Sequence, residues 1–488
     1  NGLLYLPAHS CACYIQSKLS GFWAVAPKRR ESEISNLKLV LSEAEGSQRL
    51  QKGHAYGKIS NMKSQISNPT DWPTYRCDAG RTGRTSAAVP AELNSLWRTG
   101  IGGRVTAPVV GGGILVAAAV DAHMIHALDA EGGRALWRYR AGGRIDSPPT
   151  IYEGKAIFGC ADGNVYCLRL TDGKLVWRFQ AAPADRRTVA SGQIESLWPV
   201  TGSVLVQDGV VFCTAGRTSF LDGGMYLYRL DPTTGALLGR TRFYDRNPET
   251  GEQPEEIIED VELPGTLPDV LVCDGQHIYL RDKVLDLDGT QQDGYQPHLY
   301  SSAGLLDDSW WHRTYWMWGE RNWGRASGWH VLPAFRPTGR ILVTDRDTVF
   351  GYGRRNVRTN NMQGYRLFRA DKEVRTLDTK IRNNNQALMK YQKPAKVKYH
   401  WSRETPVVVR AMVLAADVLF TAGPVMTGAD EPAFDRNTGA EILAVSARDG
   451  RTLSRRSLDA QPVFDGMAAA GGKLYISTLD GKIECLGK

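Results

Sequence analysis

The chain has 488 residues, with 51 Gly and 23 Pro, 42% apolar and 23% charged residues, and a formal net charge of +8. Glycine without a three-residue period excludes collagen, and the apolar fraction is too high for a disordered polymer, leaving either several domains or one large repetitive one. The 60 basic and 52 acidic residues are interspersed along most of the chain, which predicts a mixed solvated surface rather than a nucleic-acid-binding stripe. No apolar run reaches about 18 residues, so no membrane-spanning helix is predicted.

The chain begins at Asn1 with neither an initiator methionine nor a basic-then-apolar leader, so a fragment or processed product is expected. Gly2 to Leu6 and Gly21-Phe22-Trp23-Ala24-Val25-Ala26-Pro27 read as two strands, so residues 1–27 are expected to be the end of a truncated upstream domain. Residues 28–70 are polar, locally basic at Lys28-Arg29-Arg30, and read as a linker with a helix-compatible stretch near Leu37 to Glu45. Asp71-Trp72-Pro73-Thr74-Tyr75 then lead into a repetitive domain over 71–488. Residues 380–403, with Lys390, Lys393, Lys396 and Lys398, read as a long solvated loop inside it.

Aligning the sequence on itself at an offset of 40 places Gly103-Arg104-Val105 on Gly143-Arg144-Ile145, Pro108 on Pro148, Gly133 on Gly173 and Trp137 on Trp177. A period near 40 with several short apolar runs per unit is that of β-propeller blades. Within one unit Ala156-Ile157-Phe158 passes through Asp162-Gly163 to Val165-Tyr166-Cys167-Leu168, and the last unit repeats the phrase around Asp480-Gly481. Asp-Gly between two β-prone runs predicts a hairpin. Eight such hairpins are expected, near residues 105–130, 147–170, 202–231, 268–286, 299–319, 334–352, 409–446 and 463–488. The last stops without an outer strand, whereas Leu93 to Arg98 resembles an outer strand with no hairpin before it. Their pairing would close the ring and remove an exposed edge. The fold expected is an all-β, eight-bladed propeller of four-stranded antiparallel blades, with an N-terminal strand completing the last blade.

Each unit carries a second turn, fullest in Ala127-Leu128-Asp129-Ala130-Glu131-Gly132-Gly133-Arg134-Ala135-Leu136-Trp137. Here the sequence resembles the PQQ-type (quinoprotein-like) propeller repeat, Ala-x-Asp-x-x-Thr-Gly-x-x-x-Trp, over about 395 residues from Leu93 to the end. The resemblance implies that Trp97, Trp137 and Trp177 dock neighbouring blades. Later copies have Gly239 and Ser454 in the tryptophan's place, so docking there would rest on other side chains.

The eight cysteines form no CxxC pair. Cys11 and Cys13 would share a strand face with Cα atoms about 6.5 to 7 Å apart, at or beyond disulfide reach; a soft metal or partners in an upstream region remain open. Cys160, Cys167, Cys213 and Cys485 read as small core residues. His123 and His126, three apart on a strand, face opposite ways and predict no shared metal. No catalytic motif or metal-ligand set is found.

The most unusual segment runs from Leu305 through Asp307-Asp308-Ser309-Trp310-Trp311-His312-Arg313 to Trp316 and Trp318, with Trp323 and Trp329 beyond. It reads either as inter-blade packing or as a ligand site at the ring's mouth, where indoles stack on a sugar or other flat ligand and Asp308, His312 and Arg313 supply polar contacts. Glu195 and Trp198, in Gln193-Ile194-Glu195-Ser196-Leu197-Trp198-Pro199 where the period breaks, are expected to line the same funnel with Arg104, Arg144 and Asp146.

The resemblance has two branches. Quinoprotein dehydrogenases of this type hold PQQ and calcium, typically beside an adjacent Cys-Cys disulfide, over a tryptophan floor; this sequence has no adjacent cysteines. The other branch is similar to BamB-like propellers, especially in multidomain proteins of planctomycete-type bacteria, which bind partners without catalysis. The leading expectation is a non-catalytic scaffold for a protein partner or a carbohydrate-like ligand, without PQQ or calcium and without nucleic acid. It would be a monomeric propeller within a larger multidomain chain, in an extracytoplasmic setting implied by the resemblance. The alternatives are a PQQ-dependent dehydrogenase and a carbohydrate-binding domain using the tryptophan-rich segment.

Overall fold

The computed structural model describes residues 4–6, 23–25, 49–58, 68–245, 247, 250, 266–281, 283–294, 296–301, 316–319, 336–354, 365–372, 397–425 and 439–488. Eight antiparallel sheets follow one another as the blades of a propeller. Blade 1 is Val109–Gly111, Ile114–Ala119, Met124–Asp129 and Ala135–Arg140, written from the inner strand outward. Blade 2 is Thr150–Tyr152, Lys155–Gly159, Asn164–Arg169 and Leu175–Gln180, and blade 3 is Leu205–Gln207, Val210–Ala215, Met225–Leu230 and Leu237–Phe243. Blade 4 is Val272–Cys273, His277–Leu280, Lys283–Asp286 and Gln291–Gln292. Blade 5 contributes His298–Ser301, Trp316–Gly319 and Thr338–Gly339 among the described residues. Blade 6 is Ile341–Thr344, Thr348–Arg354, Tyr365–Asp371 and Tyr399–Glu404, and blade 7 is Ala411–Ala415, Val418–Gly423, Ala440–Ser446 and Thr452–Leu458.

Blade 8 closes the ring as expected. Pro462–Ala470, Lys473–Thr478 and Lys482–Gly487 are completed by Asn94–Gly100, with Cys485 opposite Trp97 and Lys482 opposite Gly100. Blade 2 gains a fifth strand, Leu50–Lys52, from the stretch read as linker. Leu4–Leu6 and Trp23–Val25 pair with each other.

Both faces of most blades are covered, which explains why their middle strands are apolar runs rather than alternating ones. Val116 and Ala118 of blade 1 pack with Ile151 and Phe158 of blade 2, and Phe350 and Leu367 of blade 6 pack with Met412 and Leu419 of blade 7. A tryptophan latch repeats between blades. The Trp97 indole N–H donates to Ala130 O at 3.2 Å, Trp137 to Leu170 O at 2.8 Å and Trp177 to Pro232 O at 3.1 Å. Each ring rests on the turn glycine of the next blade: a Cβ on Gly133 would lie 2.5 Å from Trp97, and one on Gly173 2.5 Å from Trp137. Both glycines have φ near +69°, so conformation and contact exclude a side chain together. Trp401 makes the same latch to Ala447 O at 3.0 Å over Gly450. Where tryptophan is absent, Thr241 donates to Gly289 O at 2.6 Å and Ser454 to Ala91 O.

The segment 70–85 does more than lead into the ring, because it fills the lumen at the face carrying the turns between first and second strands. Trp72 exchanges backbone hydrogen bonds with Val110 of blade 1, and Pro73 O accepts from Ile151 N of blade 2 at 2.7 Å. Ala79 O accepts from Cys273 N of blade 4, Thr82 O from Thr344 N of blade 6, Gly83 O from Leu414 N of blade 7 and Thr70 O from Gly471 N of blade 8. Arg84–Thr85 runs parallel to Leu414 and Ala415 as an added innermost strand. Blade 3 is reached by Arg81, which donates to Ser203 O and Val204 O, and blade 5 by Arg76, stacked 4.9 Å from the Trp316 ring. One short plug therefore touches all eight blades.

Candidate functional site

Two polar layers surround the axis. The first is the plug's own. Arg81 is fully buried, and its guanidinium donates to Leu271 O at 3.0 Å, Thr74 Oγ1 at 2.7 Å, Tyr75 O at 3.0 Å, and Ser203 O and Val204 O at 3.3 Å. All five acceptors are neutral. Burial pulls its pKa down to about 10 against the opposing charge of Asp78, so it remains a cation at neutral pH. Arg76 is neutralised: it pairs with the buried Asp465, donates to Leu342 O, and shares Asp465 with the Tyr75 hydroxyl, 2.9 Å away. Burial and the charge of Asp465 push the Tyr75 phenol well above its ordinary pKa.

Buried charges also stand on the inner strands. Arg410 donates across to Pro462 O at 2.9 Å, tying blade 7 to blade 8, and the Arg340 guanidinium lies 5.5 Å from the Phe464 ring. Asp269 at the entrance of blade 4 is 2% exposed, and its Oδ2 has no hydrogen-bond partner among the described residues. Burial raises its pKa to about 7, against the lowering charge of Arg281 and the Val270 amide.

The second layer is the opposite mouth, where an inserted hairpin, Arg187–Ala190 and Gln193–Ser196, crosses blades 1 to 3. Its Glu195, 1% exposed, is gripped by Arg144 and by Arg217 at 2.5 Å. Arg144 also binds Asp146 at 2.6 Å. Burial works against the Arg144 charge, but Asp146, Glu195 and Asp121 outweigh it and hold its pKa above the ordinary value. Arg104 pairs with Asp121 at 3.1 Å, while Gln193 bonds the His123 ring at 2.6 Å and Asp121 O at 3.3 Å.

The structure thus brings together Arg104, Arg144, Asp146 and Glu195. Trp198 sits apart from them, buried in the apolar layer between blades 2 and 3, its indole N–H without an acceptor among the described residues. Asp308, Trp310, Trp311, His312 and Arg313 lie outside the described residues. Of that segment Trp316 packs over Arg76, and Trp318 donates to Lys372 O at 2.9 Å beneath the Lys372 ammonium. Sequence reasoning missed Tyr75, Arg76, Arg81, Asp269, Arg410 and Asp465. A signal existed for two of them: a single charge interrupts Val407-Val408-Val409-Arg410-Ala411-Met412 and Val463-Phe464-Asp465-Gly466-Met467.

Among the described residues no three His, Cys, Asp or Glu side chains converge as a metal site, and the six described cysteines, Cys77, Cys160, Cys167, Cys213, Cys273 and Cys485, are free. No helix among them is long and apolar enough to cross a membrane.

Residues 81–253 match the family model described as "Outer membrane protein assembly factor BamB". The outer membrane protein assembly factor BamB of Nitrosomonas eutropha is 29% identical over 103 residues, 21% of this chain and 25% of that protein. The dehydrogenase subunit of the quinone alcohol dehydrogenase of Acetobacter aceti is 28% identical over 218 residues, 40% of this chain and 27% of that one. The chain therefore aligns with about a quarter of the length of each relative. Among solved structures, the quinohemoprotein alcohol dehydrogenase of Comamonas testosteroni superposes with a TM-score of 0.54 at 15% identity, covering 92% of this chain and 84% of that one, which shows the shared fold. The chain is an eight-bladed β-propeller whose repeats are similar to those of BamB and of quinone-type alcohol dehydrogenases.

Proposed function

We propose that this ring is a quinoprotein-type ligand-binding propeller that takes an anionic ligand from the mouth opposite the plug. The observation that carries the reading is Arg81, a guanidinium buried beside the axis whose five acceptors are all neutral. A buried guanidinium that forms no ion pair among the described residues, offset only by the charge of nearby Asp78, projects a positive potential along the lumen and attracts a carboxylate-bearing ligand. The plug occupies the other face, so the ligand enters past Arg104, Arg144 and Arg217.

The relatives' names point to a quinone, and the resemblance of the repeats to the PQQ type names the candidate, pyrroloquinoline quinone, an anionic redox cofactor that accepts two electrons from an alcohol when bound. They favour this reading over a scaffold without chemistry, since one curated relative and the superposed structure are quinone-type alcohol dehydrogenases. The quinone's carboxylates would meet Arg104, Arg144 and Arg217, which are held by Asp121, Asp146 and Glu195, and no ligand set for its calcium converges among the described residues. A partner-binding role is the second reading, supported by the BamB match over residues 81–253, and that relative's name also supports a place at the cell envelope.

Titrating the full chain with the quinone, with and without calcium, while following tryptophan fluorescence tests the proposal. The expected result is saturable binding at one per chain, weakened by salt and by Arg104→Glu. A primary alcohol and an electron-accepting dye then separate a dehydrogenase, which turns over, from a binding protein, which does not. Absence of binding at every calcium concentration refutes the reading.

A further inference from the structure

The outer rim carries a charge pattern that the lumen does not explain. Going round the ring from blade 7 to blade 3, five consecutive outer strands are Thr452–Leu458, Asn94–Gly100, Ala135–Arg140, Leu175–Gln180 and Leu237–Phe243. Together they contain eight arginines, two on each of blades 7, 1 and 3 and one on each of blades 8 and 2, and no aspartate or glutamate. A chain with 60 basic and 52 acidic residues would mix the signs if only polarity mattered. Charge on an edge strand does deter edge-to-edge pairing, but either sign serves that purpose. The uniform sign is what edge protection leaves unexplained.

Some of this charge is used internally. Arg98 is held by Asp459 and by Glu484 at 2.7 Å, and Arg456 lies 3.8 Å from the same Glu484. Arg138, Arg140 and Arg455 are exposed and make no ion pair among the described residues. On blade 2 the added strand Leu50–Lys52 covers the edge and contributes the exposed Lys52 to the same arc. No aromatic side chain of these strands is fully exposed: Trp177, Phe179 and Phe243 are buried, the half-buried Trp97 and Trp137 are turned between blades onto carbonyls of the next one, and Tyr139 packs edge-on against Tyr166. A curved cationic arc without stacking platforms lacks the feature by which single-stranded nucleic acids are held. It suits a flexible chain recognised by repeated charge alone.

We propose that the outer edges of blades 7, 8, 1, 2 and 3 form a binding surface for a linear acidic polysaccharide. The surface lies on the rim, away from the lumen, and does not depend on a quinone or any other ligand there.

The test uses the full chain and a size-defined heparin as probe, followed by fluorescence anisotropy over a series of salt concentrations. Binding is expected to fall with salt with a log–log slope of about −2 or steeper, as counterions are released. Arg138→Glu with Arg140→Glu is expected to weaken it by about tenfold or more. Arg186→Glu with Arg346→Glu, which changes the net charge equally at exposed positions off the arc, is expected to stay within about twofold. Unchanged melting temperatures show that both variants fold. Three results would overturn the proposal: no heparin binding at low salt, equal weakening by the two variants, or tighter binding of DNA than of heparin by the unaltered chain.

Discussion

Replacing Arg81 by alanine tests whether the plug is a structural element of the ring. The guanidinium makes five contacts to neutral acceptors on the plug and on the inner strands of blades 3 and 4. Hydrogen bonds from a charged donor contribute about 1.5–3 kcal/mol each, so five would sum to roughly 10 kcal/mol taken alone. Holding the cation away from water offsets several kcal/mol of this, consistent with its lowered pKa. Val204 O also keeps a second donor, the Thr150 hydroxyl at 2.6 Å. The balance is a loss of about 3–5 kcal/mol in Arg81→Ala. For a cooperative unit of ~400 residues unfolding with about 2.1 cal/mol/K per residue, 4 kcal/mol lowers the melting temperature by about 5 °C. Differential scanning calorimetry reads that shift, and hydrogen exchange reads its location: the amides of Cys273, Thr344 and Leu414, which donate to the plug, should lose protection before those of the outer strands. A melting temperature within about 1 °C of the unaltered chain, with those amides still protected, would show that the plug only occupies space.

Gly173→Ala should destabilise by about 2 kcal/mol or more, since its Cβ would meet the Trp137 ring at 2.5 Å in a left-handed backbone. Combining it with Trp137→Ala should cost less than the two single changes added, and strict additivity in denaturant unfolding would contradict the latch. Asp269 gives a pH test. Its folded pKa of about 7 lies above the ordinary carboxylate value, so the folded state binds the extra proton and stability declines as pH rises from about 4 to 7, then levels off. Asp269→Asn should remove that slope and gain about 2–4 kcal/mol at pH 8 relative to the parent; parallel stability profiles for the two proteins would refute the assignment. Glu195→Ala leaves Arg144 and Arg217 without their shared carboxylate and should cost about 3–5 kcal/mol. Proteolysis at the hairpin near Ser191 and Gly192 should speed up in parallel, and an unchanged cleavage rate would mean that Glu195 does not hold it.

The ring was legible because its determinants are local. An Asp-Gly hairpin turn, as at Asp162-Gly163 and Asp480-Gly481, and a glycine four residues ahead of a tryptophan, as in Gly133 with Trp137 and Gly173 with Trp177, recur in several units, so blade order and the closing strand at Trp97 follow from spacing. Trp401 belongs to the same latch but escaped notice. In the sequence a long insertion separates it from Tyr365–Asp371, the strand it pairs beside, and the period is lost across that gap.

The plug was illegible for the opposite reason. A segment that makes only one or two backbone bonds to each of several blades has no period of its own, since its partners lie on different strands far along the chain. Trp72, Ala79, Thr82 and Gly83 look like loop residues in sequence, and their roles exist only once eight inner strands have been brought around one axis. The mouth stands between these cases. Arg144 and Asp146 are neighbours in sequence and could be paired by inspection, whereas Glu195 reaches them only because the inserted hairpin folds back over blade 1, where Gln193 is held by His123 and Asp121. The plug supplies the buried charge at one end, the hairpin arranges the arginines at the other, and neither belongs to the repeats that identify the fold.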